Sequence, residues 1–276
     1  MEQVLLMGAG GKMGRRVAKK IANGGYSVDC VETDSDARKR LAADGFPVVE
    51  AESAAGAADY VVLAVPDRLI GPIASSFVSL LRPGTIVVCL DPAAPMAGEL
   101  PDRGDVTYFM THPCHPSIFN AESDPEAQRD RFGGIAKQAI VCALIQGPDS
   151  DYERGERLAV TMFAPISNSH RLTLEQVALL EPALAETVCI TLLTAIREAT
   201  DEAVRAGVPE AAAHDFVLGH LGVELAILFS QIDAKFSDGA IKAAQRGAAA
   251  ILRPEWKNVF RMENIMEEIR AITRRD

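Results

Sequence analysis

Two imidazoles stand three residues apart in Thr111-His112-Pro113-Cys114-His115-Pro116, a segment stiffened by two prolines. Histidine titrates near neutral pH, so either ring suits proton transfer, and a pair can also bind a divalent metal. Rigid loops at strand ends commonly present such groups. A proline-rich connector with hydrogen-bonded histidines would carry the same residues. Glu181 precedes Pro182 within a long helical pattern and shares a face with Ala178, Ala185 and Val188. A carboxylate on an apolar face needs a partner or a task. Pro182 removes a backbone donor, which predicts a kink. His220 and Glu224 lie four apart, hence on one helical face. Gly219 and Gly222 beside them suggest close approach by a ligand or another backbone. Tight packing around an internal His–Glu hydrogen bond explains that segment equally well. Asn168-Ser169-His170-Arg171, ahead of the long helix, offers a cap and a cation for a substrate carboxylate. His112, His115, Glu181 and His220 are therefore the expected catalytic set, and the metal question stays open.

A second chemistry is written near the start. Gly8-Ala9-Gly10-Gly11-Lys12-Met13-Gly14 falls between a strand-like run, Val4-Leu5-Leu6-Met7, and a helical one, Arg15 to Asn23. Missing side chains let a backbone approach a pyrophosphate, and the helix N-terminus supplies amide hydrogens and partial positive charge. The spacing also reads as Gly8-x-x-Gly11-x-x-Gly14. Glu32 follows 18 positions after Gly14, at the expected end of the second strand. A carboxylate there accepts both ribose hydroxyls and repels a 2′-phosphate, which favours NAD over NADP. Asp34 is an alternative, and nearby Arg38 and Lys39 keep NADP in play. Val65, Pro66 and Asp67 close a later strand and should border the cofactor, with Asp91-Pro92-Ala93 at the next strand end.

These residues need a scaffold. Strand patterns at Val4 to Met7, Ser27 to Glu32, Pro47 to Val49, Tyr60 to Val65 and Thr85 to Leu90 alternate with helical ones, implying a doubly wound parallel sheet. Val106 to Met110 and Ala139 to Ile145 are further strand candidates, flanking a polar loop from Asn120 to Arg131. After about residue 150 the pattern turns helical, with Leu174 to Ala206 as one long helix. The expected fold is α/β: an N-terminal Rossmann domain over 1–150, then an all-helical substrate and dimerisation domain over 151–276. The helices are apolar on most sides, which predicts a homodimer interface, an internal core helix being the alternative.

Among 276 residues, 38 are acidic and 28 basic, giving a net charge of −10. That balance argues against nucleic acid as a partner. Val188 to Ile196 is shorter than the roughly 20 residues that span a bilayer, so no membrane is expected. Five scattered cysteines suggest neither disulfides nor a zinc knuckle, and the start leaves no room for a signal peptide. A reduced, cytoplasmic protein is the expectation. None of the four tyrosines has a lysine four positions on, and no lysine lies between Lys137 and Lys235. Two common dehydrogenase bases are thereby missing.

The layout resembles the phosphogluconate and β-hydroxyacid dehydrogenase superfamily. More closely, the glycine loop, Thr111 to Asn120 and the Gly219-His220 helix together resemble the D-apionate oxidoisomerase family. That resemblance implies NAD-dependent oxidation of a branched sugar acid, coupled to a carbon shift that yields 3-oxo-isoapionate. A plain hydroxyacid dehydrogenase, an imine reductase or a non-catalytic NAD sensor would carry much of the same sequence.

Overall fold

The computed structural model describes residues 1–274. Strands β1 (Gln3–Met7), β2 (Ser27–Val31), β3 (Tyr60–Leu63), β4 (Ile86–Cys89), β5 (Thr107–Pro113), β6 (Gln138–Gln146) and β7 (Ile166–Arg171) form one sheet, ordered β2-β1-β3-β4-β5-β6-β7. All neighbours are parallel except β5 and β6. Val48 adds an isolated parallel bridge to Cys30 outside β2. The expected strand Pro47 to Val49 is thus only a bridge. With it included, the order is that of a dinucleotide-binding sheet.

Helices α1 (Lys12–Asn23), α2 (Ser35–Ala43), α3 (Ala51–Ala54), α4 (Asp67–Phe77), α5 (Ala93–Met96), α6 (Pro125–Arg129) and α7 (Ser150–Phe163) connect the strands. Alternate strand residues feed two cores, because successive side chains point to opposite faces. Val4, Leu6, Val62 and Val88 pack with Val17 and Ile21 of α1 and with Leu158 and Met162 of α7. Leu5, Met7, Val61 and Val87 pack with Ile70 and Phe77 of α4. The buried Thr107 hydroxyl donates to Asp151 at 2.5 Å, satisfying a polar pair inside the fold.

The chain continues as α8 (Leu174–Ala178), a π-helical stretch (Leu179–Ile190), α9 (Thr191–Arg205), α10 (Glu210–Leu228), α11 (Asp238–Ile251) and α12 (Met262–Thr273). Wide π winding surrounds Pro182, which cannot donate to the carbonyl of Ala178. The Thr187 hydroxyl donates to the Pro182 carbonyl at 2.7 Å.

Several expectations change. His112 and Pro113 belong to strand β5 rather than to a loop, because the ladder with β6 continues through Pro113 and Ile140. Asn168 to Arg171 form β7, so they do not cap the long helix. Thr173 does, in a reciprocal capping box with Gln176. Arg171 pairs with Asp149, and its guanidinium lies 4.1 Å from the Tyr152 ring centroid.

The chain divides into two compact units, Met1–Glu181 with the residues from Met266 on, and Pro182–Ile265. The sequence pattern turns helical near 150, whereas α7 and β7 build the sheet unit. In the second unit, Leu193, Phe216, Leu218, Leu228 and Phe229 are more than half exposed. Leu174–Arg205 and Glu210–Leu228 are each long and apolar enough to cross a membrane by length and composition. The short run Val188 to Ile196 understated this, since α8, the π segment and α9 follow without a break.

Candidate functional site

Sheet register builds the site from segments far apart in sequence. Met7 pairs with both Val31 and Leu63, so the residues that follow, Gly8, Glu32 and Ala64, leave the sheet side by side. The amides of Gly8 and Ala9 donate to the Val31 carbonyl at 3.0 and 3.2 Å, and Ala64 donates to Met7 at 3.0 Å. Gly8 has φ +73°, and a Cβ there would sit 2.4 Å from the Ala64 carbonyl oxygen. A Cβ on Gly14 would sit 2.2 Å from the Gly8 carbonyl oxygen. At Gly11 the nearest atom would be 3.4 Å away, an ordinary contact. A Cβ on Gly10 would sit 2.5 Å from the Ala37 Cβ, so Gly8, Gly10 and Gly14 are the sterically required members and the Gly8-x-x-Gly11-x-x-Gly14 spacing does not describe the packing. Gly11 is the N-cap of α1, with no side-chain cap and no acidic residue in the first turn. The first amides of the helix, at Lys12 and Met13, form an anion-attracting end.

Glu32 holds the loop from the other side. Its Oε2 accepts the Gly10 amide at 2.9 Å, and Oε1 accepts those of Thr33 and Asp34 at 2.7 and 3.0 Å. Asp34 caps α2 through the Ala37 amide, so it is occupied in another role. Arg38 donates to the Glu32 carbonyl at 2.8 Å and pairs with Glu50 at 2.9 Å. Lys39 pairs with Asp36 on the exposed side of α2. Glu32→Ser removes a charged acceptor, an interaction of about 1.5–3 kcal/mol. NAD affinity should fall roughly ten- to hundredfold. No compensating gain for NADP is expected, because Arg38 is already engaged. Calorimetric titration with both dinucleotides checks this.

Across β3, Val65 and Pro66 follow the strand, and Pro66 caps α4, which opens with Asp67. Further along the same edge, Cys89 of β4 pairs with Met110 of β5. Asp91 and His112 each lie two residues beyond that pair, so register brings them together. His112 Nδ1 lies 2.8 Å from the Leu90 carbonyl. A carbonyl only accepts, so Nδ1 carries the hydrogen and Nε2 faces the other way. It faces Glu181, whose Oε2 is 3.5 Å from Nε2; the two side chains are 20% and 24% exposed. Asp91, His112 and Glu181 each offer one ligand atom, all within 4.8 Å of one another.

Asp91 is the member that sequence reasoning placed only at a strand end. Its partner is set by register, which no local pattern reveals. His115, at φ +61°, turns toward a different neighbour: its Nδ1 lies 3.2 Å from the Phe132 carbonyl and its ring 5.9 Å from that of Phe132. The two imidazoles are 6.4 Å apart between centroids. The group with metal-ligand spacing is thus one histidine with two carboxylates, not a histidine pair. His220, in the second unit, stacks on Phe216 at 3.9 Å, with Nδ1 2.9 Å from the Phe216 carbonyl. No neighbour lies within 4 Å of a Cβ built on Gly219 or Gly222, so tight packing within the described residues does not explain them. Burial pushes the Tyr108 phenol up to about 12, and raises Tyr60 and Tyr152 as well. None of these phenols supplies a base at neutral pH.

The sheet order and the helical segments after it find counterparts in known proteins. Residues 3–100 match a Rossmann-like domain, and 120–273 match the phosphogluconate dehydrogenase (decarboxylating) C-terminal family. The D-apionate oxidoisomerase of Cupriavidus necator is 52% identical over 274 residues, 99% of each chain. The chain belongs to the D-apionate oxidoisomerase family. The enzyme of that name from Rhizobium rhizogenes is 50% identical, over 99% of this chain and all of its own. A crystal structure of a semialdehyde dehydrogenase NAD-binding protein from Cupriavidus necator, in complex with calcium and NAD, superposes with a TM-score of 0.97 at 52% identity. It covers 99% of this chain and all of that one. Both parts of the chain thus have matched relatives.

Proposed function

We propose that this chain catalyses the NAD-dependent oxidoisomerisation of D-apionate to 3-oxo-isoapionate. It is an oxidoreductase acting on a CH–OH carbon, its cofactor is NAD, and its substrate is a small sugar acid. The observation that carries the reading is the shared end of the sheet: the glycine loop and Glu32 after β1 and β2, and, across β3, Asp91 after β4 and His112 on β5, joined by Glu181 from the π-helical stretch.

Bound NAD supplies the hydride acceptor. Gly8, Gly10 and Gly14 let backbone close on the pyrophosphate, while Gly11, Lys12 and Met13 present the helix end to it. Glu32 takes the ribose hydroxyls, and Val65, Pro66 and Asp67 border the nicotinamide half. In the substrate, the carbon next to the carboxylate gives up its C–H hydrogen as hydride and its hydroxyl gives up a proton, leaving a ketone. The neighbouring tertiary hydroxyl then loses its proton as a carbon substituent shifts to the ketone carbon, whose oxygen takes a proton. The sum is substrate and NAD⁺ giving product, NADH and one proton. His112 and Glu181 form the group that orients the two hydroxyls and accepts a proton, with the ring fixed by Leu90. His115 and His220 are the remaining candidates for proton transfer. This division of labour gives the nucleotide and the reacting group to the sheet unit, and dimerisation to the helices of Pro182–Ile265.

The test is NADH absorbance on mixing enzyme, NAD and D-apionate, beside other sugar acids, with the product identified by NMR. Turnover of D-apionate to the rearranged acid is expected. Reduction of NAD by another acid alone, or an unrearranged ketone as product, would sink the assignment.

The second unit supports a homodimer. Exposed Phe216, Leu218 and Leu228 on α10 and Leu193 on α9 present large apolar surface. An apolar groove of about 520 Å³, lined by Ile196, Ala203, Val208 and Phe216 among others, runs between those helices. The open faces of Gly219 and Gly222 suit another backbone. Glu181 and Glu186 interrupt the long helix with carboxylates that cost about 2.5–3.5 kcal/mol each at a bilayer centre, which favours a second copy over lipid. Light scattering should give two chains per particle and one for Leu193→Asp; a single-chain wild type refutes the dimer. A cytoplasmic setting is proposed from the enzyme relatives.

A further inference from the structure

We propose that Asp91, His112 and Glu181 form a divalent-cation site of one nitrogen and two carboxylate donors, suited to a Mn²⁺-like ion. The inference rests on the reading of this group as the reacting end and says what the group holds.

Three observations carry it. The first is spacing: one atom from each residue lies within 4.8 Å of the others, so small side-chain movements bring all three around one ion. The second is the state of the imidazole. Leu90 accepts the Nδ1 hydrogen at 2.8 Å, so a neutral ring turns the lone pair of Nε2 toward Glu181, at 3.5 Å. A lone pair facing carboxylates is repulsive unless a cation or a second ring proton lies between them. A backbone carbonyl on the far nitrogen is also the arrangement that orients metal-bound histidines. The third is how Asp91 is held. Its Oδ1 accepts the Ala93 amide at 2.9 Å, which fixes the carboxylate while Oδ2 remains for another partner.

Each ligand comes from a different element: the turn after β4, strand β5 and the residue before Pro182. Three donors leave positions for two adjacent substrate oxygens. The imidazole argues against a site built for calcium, which takes oxygen ligands, and fits a first-row ion that accepts both nitrogen and carboxylate. With the cation seated, Nε2 would be a ligand, and within the His112–Glu181 group the proton of a bound hydroxyl would pass to a Glu181 carboxylate oxygen.

The experiment strips the full-length protein with a chelator and titrates it with Mn²⁺, reading free ion by EPR and NAD binding by calorimetry on the same sample. One Mn²⁺ per chain is expected. Asp91→Asn keeps the acceptor for the Ala93 amide and Glu181→Gln keeps the shape of the side chain. Each should weaken Mn²⁺ binding about 100-fold, since outer partners of metal ligands alone are worth roughly 10–100-fold. Pulsed EPR should show nitrogen modulation that His112→Gln removes, a signature that a merely structural histidine would not give. Excess Ca²⁺ should displace the ion poorly. No Mn²⁺ binding by the wild type, binding untouched by these substitutions, or absence of the nitrogen signal would overturn the site. NAD binding is read separately, so failure of the cofactor reading would show as a lost NAD titration whatever the Mn²⁺ result.

Discussion

Gly14→Ala is expected to weaken NAD binding by about ten- to a hundredfold and to lower the melting temperature. The new Cβ would lie 2.2 Å from the Gly8 carbonyl oxygen and within 3 Å of the Ala9 backbone. Those neighbours are main chain, not flexible side-chain ends. They cannot yield without breaking the bonds from Gly8 and Ala9 to Val31. Overpacking of this kind costs about 1–3 kcal/mol, and each 1.4 kcal/mol is tenfold in affinity. Gly104→Ala is the control: it lies outside the loop and its Cβ meets nothing within 4 Å, so binding should change less than about threefold. Calorimetry on both variants decides. Equal affinity in Gly14→Ala and wild type would remove the glycine loop from the cofactor site.

The second large effect lies at the far end of the same edge. His112→Gln and Glu181→Gln should each lower kcat by about 10²–10⁴, the usual worth of a positioned proton-transfer group. NAD affinity should stay within about twofold, because neither residue touches the loop that holds the nucleotide. The two residues work as a unit, so the double variant should be little worse than either single one; groups that act together are strongly non-additive. Steady-state kinetics with NAD titrated independently separates these outcomes. Turnover within about threefold of wild type in His112→Gln would move the chemistry to His115 or His220.

The sequence and the structure agree best where a feature is local. The glycine loop is a contiguous string between a strand and a helix, and Glu32 follows it by one strand length, so both are legible without coordinates. Glu181 also stands out locally, as a carboxylate on an apolar face before a proline. Asp91 does not, because its meeting with His112 depends on the pairing of Cys89 with Met110 across two strands. β7 hides for a related reason. Ile166 to Arg171 are mostly polar and lie at the sheet margin, so alternation is weak and the residues pass for a helix cap. The histidine-rich segment reads as a loop because of its prolines, yet Pro113 ends β5 on a paired edge. Pro47 to Val49 shows the opposite error, since a strand-like composition contributes one bridge only.

The exposed apolar helices of the second unit have a consequence for how the protein comes into being. If a second copy covers that surface, as proposed, folding is tied to mass action: stability then includes the free energy of association and grows with protein concentration. A dilute chain newly made at low abundance would then lack that contribution to its helical unit. Expression level itself would then set the fraction of complete enzyme, and the first copies produced would gain the most from each additional one.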